Sequence, residues 1–139
     1  MPVRYANAQW NGNLKEGKGT MKIGAHEFPY SAGSRFEGEK GSNPEELLGA
    51  AHAGCFSMAL SAELAAAGHN PKQVSSTADV RIDPVSGGFK ITSITLNTEA
   101  DVPGIDADTF NKIAEGAKTN CPVSQALAAV EIKLNATLK

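Results

Sequence analysis

The longest apolar stretch of the chain runs from Leu47 to Ala62, sixteen residues without a formal charge unless His52 is protonated. Asn43-Pro44-Glu45-Glu46 precedes it. Asn43 stands as an N-cap, Pro44 at the first helical position and Glu46 at the third, where it can close a capping box. Both carboxylates complement the positive end of a helix dipole. Gly68 and Pro71 mark the stop beyond Ala67. The pattern predicts one long helix, apolar nearly all round, which belongs in the middle of a core or an interface. Its Ala-rich run, broken by His52, Ser57 and Ser61, reads as too short and too polar to cross a bilayer.

Elsewhere a period of two dominates. Tyr5 to Trp10, Gly19 to Ile23 and His26 to Tyr30 predict a β-meander, with a turn-rich stretch over 11–17. Pro29 restricts the third segment to an edge or a strand end. Residues 31–42 are small, charged or Gly with little periodicity, and predict a loop. Val74, Ser76, Ala78, Val80 and Ile82 then alternate with polar neighbours, 84–88 turns the chain, and Phe89 to Thr98 returns. The alternation slips between Ile91 and Ile94, predicting a β-bulge near Ser93. Asp106 caps a second helix carrying Phe110, Ile113, Ala114 and Ala117 at helical spacing. Pro122 opens another, running to Ala129, and Val130 to Lys139 alternates as a final strand. No repeat, linker or βαβ rhythm interrupts the order. The expectation is a single α+β domain over 1–139, with antiparallel sheets around a long buried central helix.

Composition narrows the function. The 139 residues are 41% hydrophobic and 20% charged, which excludes wholesale disorder. A net charge of -2 and the lack of a long basic run argue against a nucleic-acid partner. Residues 1–5 carry no apolar targeting segment, so a cytoplasmic protein without membrane partners is expected. His26, His52 and His69 are scattered without ligand spacing, so neither a metal nor another cofactor is expected.

There are two cysteines, Cys55 and Cys121, too few for a disulfide framework and not spaced for zinc. Cys55, in the apolar helix, reads first as a small buried hydrophobe, with a reactive thiol as the alternative. His52 lies one turn earlier and either tunes that thiol or packs in an interface. Cys121 precedes Pro122 at an N-cap, where N–H groups favour a thiolate, and the alternative is a partly buried loop thiol. Spacing alone does not say whether the sulfurs meet. If they do, the composition favours a transient redox pair over a structural staple.

Two segments carry a resemblance. Ser34-Arg35-Phe36-Glu37-Gly38 followed by 41–60, with the Asn43-Pro44-Glu45-Glu46 and Ala51-His52-Ala53-Gly54-Cys55-Phe56 runs, resembles the OsmC (osmotically inducible protein C) family. Asn120-Cys121-Pro122-Val123-Ser124 is similar to its second motif. The relatives of that family are the organic hydroperoxide resistance proteins. The arginine in Arg35-Phe36-Glu37-Gly38, twenty positions before Cys55, looks like the OsmC branch. The resemblance implies a thiol-dependent peroxidase acting on hydroperoxides, preferring organic ones. It implies Cys55 as the attacking cysteine, Cys121 as the resolving one, and Arg35 with Glu45 as the pair that holds and polarises the site. It also implies an intertwined homodimer and a dithiol reductant, a lipoyl protein by family expectation with thioredoxin as the other choice.

Ten helical residues separate Glu45 from Cys55, about 15 Å of axial rise, so one straight helix cannot bring them into one site. A second subunit would resolve that, placing two sites at a dimer interface. Phe36, His52 and Phe56 are candidates to line the substrate. Met58 and Phe110 are read first as core. The competing readings are a dimeric protein that binds a small apolar ligand on the same fold, and a stress protein without chemistry of its own.

Overall fold

The computed structural model describes all 139 residues. The sequence predicts one continuous domain; the chain divides into two compact units, Met1–Leu47 and Leu48–Lys139.

In the first unit, β1 (Ala6–Asn11), β2 (Lys18–Ile23) and β3 (His26–Tyr30) form the expected antiparallel meander in that order. Pro29 falls on the edge strand, where a missing N–H costs least. Gly19 sits opposite Trp10 on one side and Tyr30 on the other. A Cβ on Gly19 would come within 2.5 Å of Tyr30 and 2.7 Å of Trp10, so the two rings occupy the space a side chain would need. The rings meet with centroids 5.2 Å apart. The predicted loop over 31–42 is corrected by a short helix, α1 (Ala32–Phe36). Ser31 caps it through a reciprocal box: its hydroxyl accepts from the Ser34 N–H at 3.0 Å, and Ser34 Oγ accepts from the Ser31 N–H at 2.9 Å.

α2 (Pro44–Ala66) begins at this unit's end and continues into the second. Its first turn is capped as predicted, the Glu46 N–H donating to Asn43 Oδ1 at 2.8 Å. With 23 residues, α2 is long and apolar enough to cross a membrane by length and composition alone, a test that core helices also pass.

In the second unit, β4 (Gln73–Val85) and β5 (Gly88–Asp101) form the predicted hairpin. Arg81 faces Ser93 while Ile82 faces Ile91, so the extra residue is Thr92, one position from the predicted bulge. α3 (Ala107–Asn120) starts at its Asp106 cap, and α4 (Pro122–Ala126) is shorter than predicted. β6 (Glu131–Leu138) joins the sheet beside β5, giving the order β4-β5-β6. It runs parallel to β5, which corrects the expectation of purely antiparallel sheets. The cause is the connection: α3 and α4 carry the chain back across the sheet, and such a crossover returns a strand in the same direction.

The core lies between the sheet and the helices. Phe56, Leu60 and Leu64 of α2 pack with Leu96, Ala100 and Val102 of the sheet side and Phe110, Ala114 and Ala117 of α3. Gly49 lets α2 approach β4 closely, since a Cβ there would lie 3.0 Å from the Ala78 carbonyl oxygen. Only one face of α2 is buried, at His52, Phe56, Leu60 and Leu64. Ala51, Gly54, Met58, Ala62 and Ala65 form an exposed stripe on the other, with Met58 77% exposed. The expected all-round burial therefore does not occur within a single chain.

Candidate active site

The second unit brings the two cysteines together, although 66 positions separate them in sequence. Cys55 faces inward from the middle of α2 beside the core and keeps part of its surface open. Cys121 closes α3 and opens α4: its N–H donates to the Ala117 carbonyl at 2.9 Å, and its own carbonyl accepts from Gln125 at 3.0 Å. Pro122 disfavours helical geometry at the residue before it, and Cys121 adopts φ -57° and ψ 122°. That turn sends the sulfur into the core, where Cys121 is fully buried. The sulfurs lie 3.0 Å apart as free thiols, sharing a hydrogen bond.

Their acidities are split. Burial, then the bond with Cys121, pushes the Cys55 thiol above its ordinary value, and the Val123 N–H offsets only part of this. Burial also raises Cys121. The contact with Cys55, the Ser124 N–H and hydroxyl, and the Val123 N–H outweigh it, and its thiol falls below the ordinary value. The sulfur makes no full capping bond at the start of α4, so the N–H groups act on it electrostatically. These shifts favour the thiolate at Cys121 over Cys55, the order the N-cap argument anticipates.

His52, one turn before Cys55, has no exposed surface. Its Nε2 lies 2.7 Å from Ser124 Oγ, while Nδ1 is buried without a partner. Burial holds the imidazole below its ordinary pKa, so the ring is neutral at neutral pH. Phe56 is likewise fully buried in the core. These two candidates for lining a substrate thus turn to the interior of their unit, because their helix positions face the sheet and α3–α4.

In the first unit, Arg35 and Glu45 form a pair. Arg35 Nε donates to both carboxylate oxygens at 3.2 and 3.1 Å, and Nη2 donates to Oε1 at 2.6 Å. Glu45 is buried, whereas the Arg35 side chain is 33% exposed. The guanidinium also sits 5.2 Å over the Phe36 ring. Behind Arg35, buried Ser34 donates to the Ser42 carbonyl at 2.7 Å, and Ser42 Oγ donates to that of Pro29 at 3.0 Å. These bonds fix the last turn of α1 and with it the arginine's direction. Trp10, Leu14, Tyr30, Arg35 and Phe36 line a cavity of about 280 Å³. A larger, open recess of about 490 Å³ runs along the exposed face of α2 by Ser57, Met58, Ser61 and Lys72, and contains neither sulfur. No three His, Cys, Asp or Glu side chains converge as a metal site would require.

Sequence reasoning missed two serines. Ser34 was legible as the far end of a Ser31-x-x-Ser34 cap, overshadowed by the surrounding glycines and charges. Ser124 had no local signal, since its partner His52 is 72 positions away.

The fold and the adjacent sulfurs define an α+β dithiol protein. The chain belongs to the OsmC family: the family model "OsmC-like protein" matches residues 37–135, across the boundary between the two units. It is 55% identical to "Peroxiredoxin OsmC" of Escherichia coli (strain K12), over 98% of this chain and 96% of that protein. It is also 34% identical to the "Organic hydroperoxide resistance protein" of Xanthomonas axonopodis pv. citri, over 64% of this chain and 61% of that protein. A solved organic hydroperoxide resistance protein from Elizabethkingia anophelis superposes with a TM-score of 0.71 at 26% identity, covering 99% of each chain. An OsmC-like protein from Mycoplasma pneumoniae gives 0.75 at 17% identity, over 99% of this chain and 97% of that one, a likeness of fold alone.

Proposed function

We propose that this chain is a cytoplasmic cysteine-based peroxidase that reduces organic hydroperoxides to alcohols, working as a homodimer with a dithiol as reductant. The observation that carries this reading is the asymmetry of the two cysteines: adjacent, with Cys55 partly exposed and Cys121 fully buried. A peroxide can reach only Cys55. Its thiolate attacks one peroxide oxygen, the O–O bond breaks, the alcohol leaves, and Cys55 becomes a sulfenic acid. Cys121, already in contact, then forms the disulfide and expels water. Closing the pair from 3.0 Å to a bond of about 2.05 Å needs side-chain motion of only about 1 Å. A dithiol reopens the bond by exchange. The names of the E. coli and Xanthomonas relatives agree with this chemistry.

The acidity order supports a site shared between two chains. Attack needs the thiolate on Cys55, and nothing cationic beside Cys55 supplies it, since the groups acting on that thiol are Cys121 and the Val123 N–H. Arg35 is the cation fitted for the task, oriented by Glu45 and Phe36 with Nη1 outside the carboxylate fork. The ten helical residues between Glu45 and Cys55 argue that Arg35 serves the Cys55 of a second copy. The apolar stripe around Met58 is the face by which two copies would meet. The cavity beside Arg35 has aromatic walls suited to the carbon part of an organic hydroperoxide.

The test is peroxide consumption with cumene and tert-butyl hydroperoxide and a dithiol reductant. Wild type should turn over both, Cys55→Ser neither, and Cys121→Ser should accumulate sulfenic or sulfinic acid at Cys55. A wild-type protein that consumes neither peroxide with any dithiol would refute the reading and favour a ligand-binding role.

A further inference from the structure

Four side chains from α2, the α3–α4 junction and α4 form one set: His52 touches Ser124, Ser124 lies three residues after Cys121, Cys121 touches Cys55, and Cys55 returns to His52 one helical turn away. Both His52 and Ser124 are buried, at 0% and 5% exposure. Neither is explained by packing alone, because a buried polar pair contributes little beyond an apolar one of the same shape.

The orphan Nδ1 of His52 fixes the direction of the set. A neutral imidazole has one N–H. On Nδ1 it would be a buried donor without an acceptor, while on Nε2 it meets Ser124 Oγ at 2.7 Å and leaves only a bare lone pair unpartnered. The second arrangement is the cheaper, since orphaned buried N–H groups are the rarer defect. A serine hydroxyl has a single hydrogen. With Nε2–H donating to its oxygen, that hydrogen is left free of the histidine, on a residue three positions after Cys121.

We propose that His52 and Ser124 are positioning residues for the resolving cysteine: the His52 Nε2–H orients the Ser124 hydroxyl so that it donates to Cys121 Sγ and holds that sulfur as a thiolate aimed at Cys55. The proposal rests on the peroxidase reading above and extends it to the second chemical step. In that step the Cys121 thiolate attacks the sulfenic sulfur of Cys55. An S–S bond forms, the S–O bond breaks, and the departing hydroxide takes up the proton that Cys121 released, leaving as water. The Cys121 sulfur is oxidised and the Cys55 sulfur reduced, while His52 and Ser124 keep their protons throughout. The Ser124 hydroxyl acts on Cys121 in the acid-favouring direction that this role requires.

Rapid-mixing kinetics with cumene hydroperoxide separate attack from resolution. Ser124→Ala and His52→Leu should slow disulfide formation about tenfold, the worth of one hydrogen bond to a charged atom, and leave Cys55 over-oxidised at lower peroxide. Ser124→Thr and His52→Gln, which keep the hydroxyl and a side-chain donor, should restore it. Resolution at the wild-type rate in Ser124→Ala, or no recovery in Ser124→Thr, would overturn the proposal. A second measurement needs no peroxide: the ultraviolet thiolate titration of Cys121 in a Cys55→Ser chain, with and without Ser124→Ala. The alanine should move the midpoint to higher pH, and an unchanged midpoint overturns the proposal. If wild type never forms a sulfenic acid, the peroxidase reading fails and this titration alone decides the role of Ser124.

Discussion

The Arg35–Glu45 pair makes the most quantitative prediction. Opposite charges with centres about 4 Å apart attract by about 4 kcal/mol at an effective dielectric constant near 20. The Glu45 side chain is 8% exposed, but that of Arg35 is 33% exposed, so water reaches one partner and screens roughly half of the attraction. A coupling energy of about 2 kcal/mol remains. Urea unfolding of wild type, Arg35→Met, Glu45→Gln and the double variant at one protein concentration measures it. Arg35→Met should be the worst, costing about 3 kcal/mol, because it strands a buried carboxylate. Glu45→Gln should cost about 1 kcal/mol, since the half-exposed guanidinium keeps water as a partner. The double variant should recover much of the loss. A coupling below about 0.5 kcal/mol would refute the reasoning and reduce the pair to an ordinary surface contact.

Other outcomes are equally checkable. Leu60→Ala, at a fully buried core position, should destabilise by about 3 kcal/mol in the same assay, and a loss under 1 kcal/mol would mean the site collapses around the change. Asp106 is held below its ordinary pKa by the Thr109 N–H and then the Thr109 hydroxyl. Its stabilising effect is therefore fully present above the unfolded value of about 4 and fades as pH falls through the lower folded value. Melting temperatures of wild type and Asp106→Ala should differ at neutral pH and converge in acid; a gap that persists below that range contradicts the cap. Met58→Glu should give a monomer by light scattering where wild type should give the proposed dimer, and equal masses would exclude this face of α2 as the interface.

Periodicity carried most of the fold. The meander, the hairpin and α3 stand where alternation or helical spacing put them, because each buries a single face against its neighbours. What failed was what depends on distant partners. β6 alternates cleanly, yet alternation says nothing about which strand it pairs with or in which direction. α1 was lost among glycines and charges, although its Ser31–Ser34 cap was present. The composition of α2 suggested burial all round, but Gly54 and Met58 are open in the single chain, and composition cannot say whether a second copy covers them. The site was legible by resemblance rather than by physics. No local rule joins Cys55 to Cys121 or Arg35 to Glu45, and the burial that separates the two thiols in accessibility arises only when α3 and α4 close over the sheet.

The sealed position of Cys121 also bears on the return half of the proposed cycle. A disulfide offers two sulfurs, and an incoming thiol must choose one. With Cys121 presenting no surface, the choice falls on Cys55, so the mixed disulfide forms on α2 and Cys121 departs as the leaving group. Its neighbours already favour the anion, which makes it the better sulfur to expel. Burial thus gives reduction a fixed direction: every adduct with the reductant is carried by the same residue that first met the peroxide.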